Sequence, residues 1–368
     1  MSSLSEQKYW LGFSLVPEIG TKRILHLRDK FGRLSAAWRA SEAQLSAAGL
    51  EPQALTNLLH FRKKLDLERE FARVQQVKAF LLTLEDADYP PLLKHIADPP
   101  AVLYVRGTLT PVDERAICIV GTRKATLNGR ETTRHIAFQL AKQGLTIISG
   151  LAQGVDEAAH RGALEAGGRT LAISACGIHT IYPLQNLPLA HEIIEAGAVI
   201  TEFPIGVPPL KGNFPRRNRI MSGMSLGVLV AEAPEKSGAL ITAAVAAEQG
   251  RDVFAIPGSI HNNTSSGTNR LIQDGAKLVM KVEDILNELN MTYTVVQTKA
   301  AAETISPANE NEAKLMQLLG ADPIHIDELV RQSGLSIALV SSTLTILELK
   351  GLAQMVGAMQ YCLIQHRS

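Results

Sequence analysis

The sequence has little cysteine, little aromatic surface and almost no net charge. Three cysteines occur in 368 residues, and Phe, Trp and Tyr together make up 5%. Cys118, Cys176 and Cys362 are far apart, odd in number and set among apolar residues, which argues against a disulfide framework or a metal cage and for reduced core thiols. The usage is that of a cytoplasmic protein. No apolar run approaches the roughly 20 residues that span a bilayer, and no basic-then-apolar leader opens the chain. Neither secretion nor membrane insertion is expected. Lys and Arg number 37 against 36 Asp and Glu, a net charge of +1, so any polyanion site has to come from local clustering. Apolar residues at 46% and charged residues at 20% describe a globular protein, and the length predicts two or three domains.

Residues 1–75 read as helices. Leu55, Leu58, Leu59, Phe61 and Leu65 recur at helical spacing, punctuated by Pro17, Gly20, Gly32 and Gly49, with no strand pattern. The stretch from Leu15 to Ile24 fits a plain αα-hairpin or, less closely, a helix-hairpin-helix whose turn amides hold one phosphate. Twelve cationic side chains outnumber eight acidic ones here, which permits an auxiliary polyanion contact without requiring one.

Residues 76–291 form the second expected domain. Strand-like runs at 80–84 and 102–105 flank a Pro-rich turn and read as an added sheet edge. From residue 116 short apolar runs alternate with Gly-rich turns and helical stretches: 116–120, 146–149, 170–174, 199–201, 228–230, 253–256 and 277–280. That grammar predicts an α/β fold, an extended Rossmann-like, doubly wound and mostly parallel sheet. Residues 292–309, polar and containing Ser306-Pro307, read as a linker. Residues 310–368 show three helical segments (313–319, 326–332, 339–349) and a hairpin over Gly351–Ile364 around Val356-Gly357-Ala358, the winged-helix pattern. Its presumed reading helix, from Ser336 to Leu344, has no Lys or Arg, and six acids outnumber four cations over this region. DNA reading needs positive charge, so this unit is expected to contact protein, or its own chain, rather than a groove.

The chemistry-bearing residues cluster where parallel strands end, the place open α/β sheets bind ligands. Gly121, Thr122, Arg123 and Lys124 leave one strand as an anion-binding loop. Neither G-x-G-x-x-G nor G-x-x-x-x-G-K-[ST] is present. Ser149 and Gly150 leave the next strand, before Leu151-Ala152-Gln153-Gly154-Val155-Asp156, and Asp156 and His160 are spaced to pair on one helical face. Phe214-Pro215-Arg216-Arg217-Asn218-Arg219 packs three guanidinium groups into four positions at a helix start, a density suited to consecutive phosphates. Ser237 and Gly238 add a further small-residue loop, and Phe214 is the candidate base-stacking platform.

Taken in order, these segments resemble the DNA-processing protein A family (DprA, also called Smf): Ile119-Val120-Gly121-Thr122-Arg123, Ile148 to Asp156, Tyr182-Pro183, Phe214 to Ile220, Ser237-Gly238 and Gly250-Arg251-Asp252-Val253. The resemblance is close from Tyr89-Pro90 through Gly275-Ala276. It implies a helical N-terminal domain, a Rossmann domain and a winged helix. It further implies a non-enzymatic mediator without cofactor that binds single-stranded DNA, protects incoming strands in natural transformation and loads the RecA recombinase, as a homodimer built through the Rossmann domain. Carried over, Gly121, Thr122 and Arg123 form the phosphate loop, and Arg217 and Asn218 share the pocket with Ser149 and Gly150. Many relatives place a DNA-touching lysine after Tyr-Pro; here Leu184, Gln185 and Asn186 follow Tyr182-Pro183, and Lys211 is the nearest substitute cation. The alternative is a nucleotide-processing enzyme of the phosphoribohydrolase-like class. Those enzymes carry Pro-Gly-Gly-x-Gly-Thr-x-x-Glu, whereas this chain has Pro257-Gly258-Ser259-Ile260, leaving Glu202 and Glu232 as the candidate carboxylates. A nucleotide-sensing winged-helix regulator is disfavoured by the uncharged reading helix.

Overall fold

A computed structural model describes residues 4–291, 310–320, 323–349, 352–357 and 359–363. The chain divides into two compact units, Met1–Val295 and Val296–Ser368. The expected linker at 292–309 lies outside the described residues, as do Gly351, Ala358 and Ile364 of the expected hairpin.

The larger unit is built on nine strands: β1 (Phe80–Thr83), β2 (Val102–Gly107), β3 (Ala116–Val120), β4 (Thr146–Ser149), β5 (Thr170–Ile173), β6 (Ala198–Thr201), β7 (Gly227–Val230), β8 (Asp252–Ala255) and β9 (Lys277–Leu278). Their order is β1-β2-β6-β5-β4-β3-β7-β8-β9. The seven strands from β6 to β9 in that order run parallel, while β2 lies antiparallel to β6 and β1 antiparallel to β2. The added edge is thus a two-stranded antiparallel extension. β4, β5 and β6 stack outward on one side of β3, and the chain then returns with β7 on the other side. The crevice between the carboxyl ends of β3 and β7 is the topological switch point.

Every residue of β3 to β7 is buried, because helices cover both faces and leave no room for polar alternation. Period two nevertheless sorts the side chains. Cys118, Val120, Ile148, Val228 and Val230 share one core with Ile220, Met221, Ala239 and Ala243 of helices Asn213–Gly223 and Gly238–Glu248. Ile117, Ile119, Ile147 and Leu229 share the other with Ile136, Leu140, Val155 and Ala159 of helices Leu127–Lys142 and Val155–Glu165. Cys118, Cys176 and Cys362 are buried, and burial pushes the Cys118 and Cys176 thiols up.

Six helices fill Leu4–Gln76. Their core residues Trp10, Phe13, Ile24, Leu27 and Leu34 continue without a break into Val102, Tyr104, Leu189 and Val199. Each fully buried Leu or Ile there stabilises the fold by roughly 1.5–3 kcal/mol, so the helical layer is fastened to the β1–β2–β6 end of the sheet. The turn after Leu4–Ser14 is a plain αα-hairpin: Thr21 Oγ1 donates to Pro99 O at 2.7 Å, and Arg23 donates to Glu18 O at 2.7 Å and pairs with Glu51.

In the smaller unit, helices Glu310–Leu318, Ile326–Ser333 and Ile337–Leu349 pack on a three-stranded sheet ordered Ile324–His325, Gln360–Leu363, Ala353–Gly357. This is a winged helix. The two-residue strand Ile324–His325 is too short to leave a periodic signal. Ile337, Leu339 and Ile346 are exposed on the last of these helices, which carries no Lys or Arg.

Candidate nucleic-acid interface

The loop after β3 is held rigidly before any ligand arrives. Thr122 N donates to Glu232 O at 2.7 Å, Val155 N donates to Thr122 O at 3.3 Å, and Lys124 N donates to Thr122 Oγ1 at 3.2 Å. Gly121 is required by close approach: a Cβ there would lie 2.5 Å from Val155 Cγ2 and 2.7 Å from Glu232 O. Thr126 caps the following helix by accepting from Gly129 N at 2.9 Å. Such a loop is fixed in place, with no ordering left for the moment of binding.

In front of it opens a cleft of about 320 Å³ at the switch point, lined by Gly121, Thr122, Arg123, Phe214, Arg217, Asn218, Lys236, Ser237 and Gly238 among others. A smaller recess of about 80 Å³ adjoins it through Arg123, Ala152 and Phe214 and adds Gly150, Gln153, Tyr182 and Pro183. Arg123 also borders a third groove of about 570 Å³ between helices Leu127–Lys142 and Val155–Glu165. It is exposed, and its Cζ lies 5.0 Å from the centroid of the Phe214 ring. A cation–π contact at an exposed site is worth about 0.5–1 kcal/mol, against about 1.5–3 kcal/mol for a hydrogen bond to a charged group. A phosphate therefore outcompetes the ring. Phe214 is half-buried and meets Tyr182 edge-on at 6.1 Å, so two aromatic rings flank the recess. Ser237 Oγ accepts from Ala239 N at 3.3 Å at the start of an 11-residue helix, placing a positive dipole end on the cleft.

Arg217 is buried on the cleft floor. Its Nη1 donates to Ile173 O at 2.6 Å, and its guanidinium lies against Gly150, where a Cβ would sit 2.0 Å from Nη1. Burial raises the Asp156 carboxyl above the ordinary range, and the Arg217 charge draws it back.

Several expectations are corrected. Ser149 is fully buried and its Oγ donates to Ile119 O at 2.6 Å, so β4 keeps it beneath the cleft. Arg216 points away, stacked 5.3 Å over Phe203 and 4.0 Å from Glu202, and Lys124 is exposed but outside the cleft lining. Arg219 is engaged by Glu202 and Asp98. Helical geometry explains the split, since residues 216, 217 and 219 project about 100° apart per step. Asp156 and His160 do not pair: Asp156 accepts from Ala152 N, and His160 Nδ1 meets Thr170 Oγ1 at 2.7 Å. Burial lowers the His160 pKa to about 3. Lys236, missed as a cation, lies in a strand-to-helix loop at the switch point, a position that could have marked it.

Comparison with known proteins accords with this arrangement. The family model for DNA recombination-mediator protein A matches residues 80–290, and the DprA winged helix domain matches residues 299–358. Protein Smf of Synechocystis sp. (strain ATCC 27184 / PCC 6803 / Kazusa) is 35% identical, covering 97% of this chain and 98% of its own. This chain belongs to the DprA/Smf family. DNA processing protein DprA of Bacillus subtilis (strain 168) is 42% identical over 62% of this chain and 78% of its own. The X-ray structure of DprA from Streptococcus pneumoniae superposes with a TM-score of 0.68 at 33% identity, covering 80% of this chain and all of that one. The structure of DprA from Helicobacter pylori, studied for its single-stranded DNA binding mode, gives 0.52 at 33% identity over 57% of this chain and 95% of that one. Among the described residues of this DprA/Smf chain, no helix is long and apolar enough to cross a membrane.

Proposed function

We propose that this chain is a single-stranded DNA-binding recombination mediator, a binding protein rather than a catalyst, that protects incoming strands and loads RecA during natural transformation. The observation that carries the reading is Arg123: exposed, in no salt bridge among the described residues, and common to three adjoining cavities. Phosphates run past the Gly121–Arg123 turn, whose Thr122 N–H is held by Glu232 O, and the N-terminus of helix Gly238–Glu248, with Arg123 and Lys236 supplying charge and Phe214 a stacking face. Arg217 holds the floor, and Asn218 and Gly150 complete the walls. The pocket assignment thus keeps Gly121, Thr122, Arg123, Gly150, Phe214, Arg217, Asn218, Ser237 and Gly238. The binding mode studied in the Helicobacter pylori relative supports the ligand class. A homodimer through the Rossmann-like domain belongs to the same reading, and the sheet edge at β9, with Leu278 and Met280 exposed, supports it.

The enzyme alternative has less to stand on. Glu202 is engaged by Arg219, and Glu232 Oε2 caps the helix start at Thr126, so neither carboxylate faces the cleft. The test is anisotropy of labelled oligo-dT competed with single strands, duplex and mononucleotides. Displacement by single strands alone is expected; displacement by a mononucleotide at similar concentration contradicts the reading. RecA loading is checked by counting RecA filaments on single-stranded DNA with and without the protein, where more filaments with it are expected.

A further inference from the structure

The groove between helices Leu127–Lys142 and Val155–Glu165 is larger than either cavity it adjoins, about 570 Å³ against about 320 Å³ for the cleft and about 80 Å³ for the recess. Arg123 lines all three, and Gln153, which is exposed, lines both the recess and the groove. Backbone packing fastens the groove to the phosphate loop. Gly154, in the groove wall, has a φ of 81°, and a Cβ there would lie 2.5 Å from Thr122 O and 2.7 Å from Arg123 O. Next to it, Val155 N donates to Thr122 O at 3.3 Å. The start of helix Val155–Glu165 and the Gly121–Arg123 turn are therefore one rigid piece, with cleft and groove in a fixed relation.

Besides Arg123, the groove is lined by Arg130, Arg134 and Arg161. Arg130 is exposed and in no salt bridge among the described residues; its Nη1 donates to Ala125 O at 3.2 Å. Arg134 pairs with Glu165 at 2.5 Å and Arg161 with Glu192 at 2.9 Å, with all four side chains more than a third exposed. Exposed pairs contribute little, and a phosphate offers the same guanidinium a charge-assisted bond, so both pairs are open to exchange. Glu131, Glu157 and Glu165 also line the groove, leaving four guanidinium groups against three carboxylates. An excess of one charge captures little from solution. It suffices for phosphates already tethered to a strand held at Arg123, which reach the groove at high effective concentration. From Leu127 to Arg134 the groove follows about 10 Å of helix, room for about two or three nucleotides at about 3.4 Å or more each.

We propose that a bound single strand leaves the cleft over Arg123 and continues along this groove, where Arg130, Arg134 and Arg161 meet its next phosphates. The inference rests on the single-strand reading and lengthens the site by about two or three nucleotides. Its signature is a dependence on strand length: oligomers confined to the cleft do not reach Arg130, and longer ones do.

The experiment measures binding of labelled oligo-dT from about 4 to 16 residues, the span of single-strand sites, to the full chain as wild type, Arg130→Ala, the double variant Glu131→Gln/Glu157→Gln and Arg123→Ala, with urea midpoints to check folding. Wild-type affinity is expected to rise with length and level off once the groove is filled. Arg130→Ala leaves the shortest oligomers that bind unchanged and weakens the longest by about 2- to 5-fold, the scale of an exposed ion pair. Its salt slope on the longest oligomer is shallower by about 0.7. The double variant, which removes two carboxylates from the groove and leaves Arg130 in place, tightens the longest oligomers only. Arg123→Ala weakens every length. An Arg130→Ala variant that binds all lengths as wild type does overturns the inference. So does an equal loss at all lengths, which would make Arg130 a support for the loop through Ala125 O, and so does a double variant that gains nothing on the longest oligomers. Failure of wild type to bind any oligomer overturns the single-strand reading as well, whereas tight binding indifferent to these groove variants overturns only this inference.

Discussion

The loop Gly121–Lys124 and the helix Asn213–Gly223 both looked like phosphate sites, and the helix had more arginines. The structure gives their cations different surroundings. Arg123 is exposed, touched by an aromatic ring and free to leave it, while Arg216 stacks on Phe203, Arg219 is engaged by Glu202 and Asp98, and Arg217 lies under the cleft bonded to Ile173 O. A count of cations measures charge; where each side chain points decides which charge lines the cleft, and Arg123 lines it while Arg216 does not.

The largest effect expected is on the helix side, and it is on stability. Arg217→Met removes the cation acting on buried Asp156 and should destabilise the protein by about 3–5 kcal/mol in urea unfolding, the scale for an uncompensated buried charge. Burial already raises the Asp156 carboxyl above its ordinary value of 3.8, and the variant raises it further. The native state then binds more protons than the unfolded state above pH 3.8, so the variant's deficit is greatest at neutral pH and shrinks as acid protonates Asp156. A deficit independent of pH would place the Arg217 contribution in packing alone.

On the loop side the expected effect is on binding. Arg123→Ala should leave unfolding unchanged and lower single-strand affinity by about 1.5–3 kcal/mol, the range for a charge-assisted hydrogen bond. Phe214→Ala should weaken binding by about 1–3 kcal/mol for the lost stack; unchanged affinity in a folded variant would make the ring a rest for Arg123 only. Arg216→Ala sharpens the contrast from below, with a change in affinity under about 0.5 kcal/mol.

A fifth check concerns His160, which is neutral and buried. Its pKa is lowered from 6.5 to about 3, so its contribution to stability is complete above pH 6.5 and is lost as pH falls toward 3. His160→Gln should flatten that part of the stability profile, read by urea midpoints across the window.

Much of this was legible in the sequence. Continuous apolar runs located all nine strands of the large sheet to within a few residues, and the Pro-rich segment correctly marked the β1–β2 edge, because strand burial is written in composition. That the ligand loops lie at the carboxyl ends of parallel strands followed from the β-then-α grammar, whereas the switch point between β3 and β7 needed the strand order. What the sequence left hidden is directional. Arg216 and Arg217 are neighbours in the chain yet point to different surroundings, and Ser149 ends a strand whose pleat turns its hydroxyl inward to Ile119 O. Asp156 and His160 have helical spacing but different partners, Ala152 in the loop after β4 and Thr170 on β5, since i, i+4 proximity allows a contact without requiring it. Glu232 read as a strand-end acid; that its side chain caps the helix start at Thr126 needed the packing of the β3 loop above it.

The central claim is that Arg123, and not the helix arginines Arg216 and Arg219, meets the phosphates. It is tested most directly by titrating salt against oligo-dT affinity in wild type, Arg123→Ala and Arg216→Ala. Each phosphate neutralised adds about −0.7 to the log-log slope on a single strand. The account predicts a slope shallower by about 0.7 in Arg123→Ala and unchanged in Arg216→Ala. The opposite pattern, wild-type slope in Arg123→Ala and a shallower one in Arg216→Ala, would contradict it.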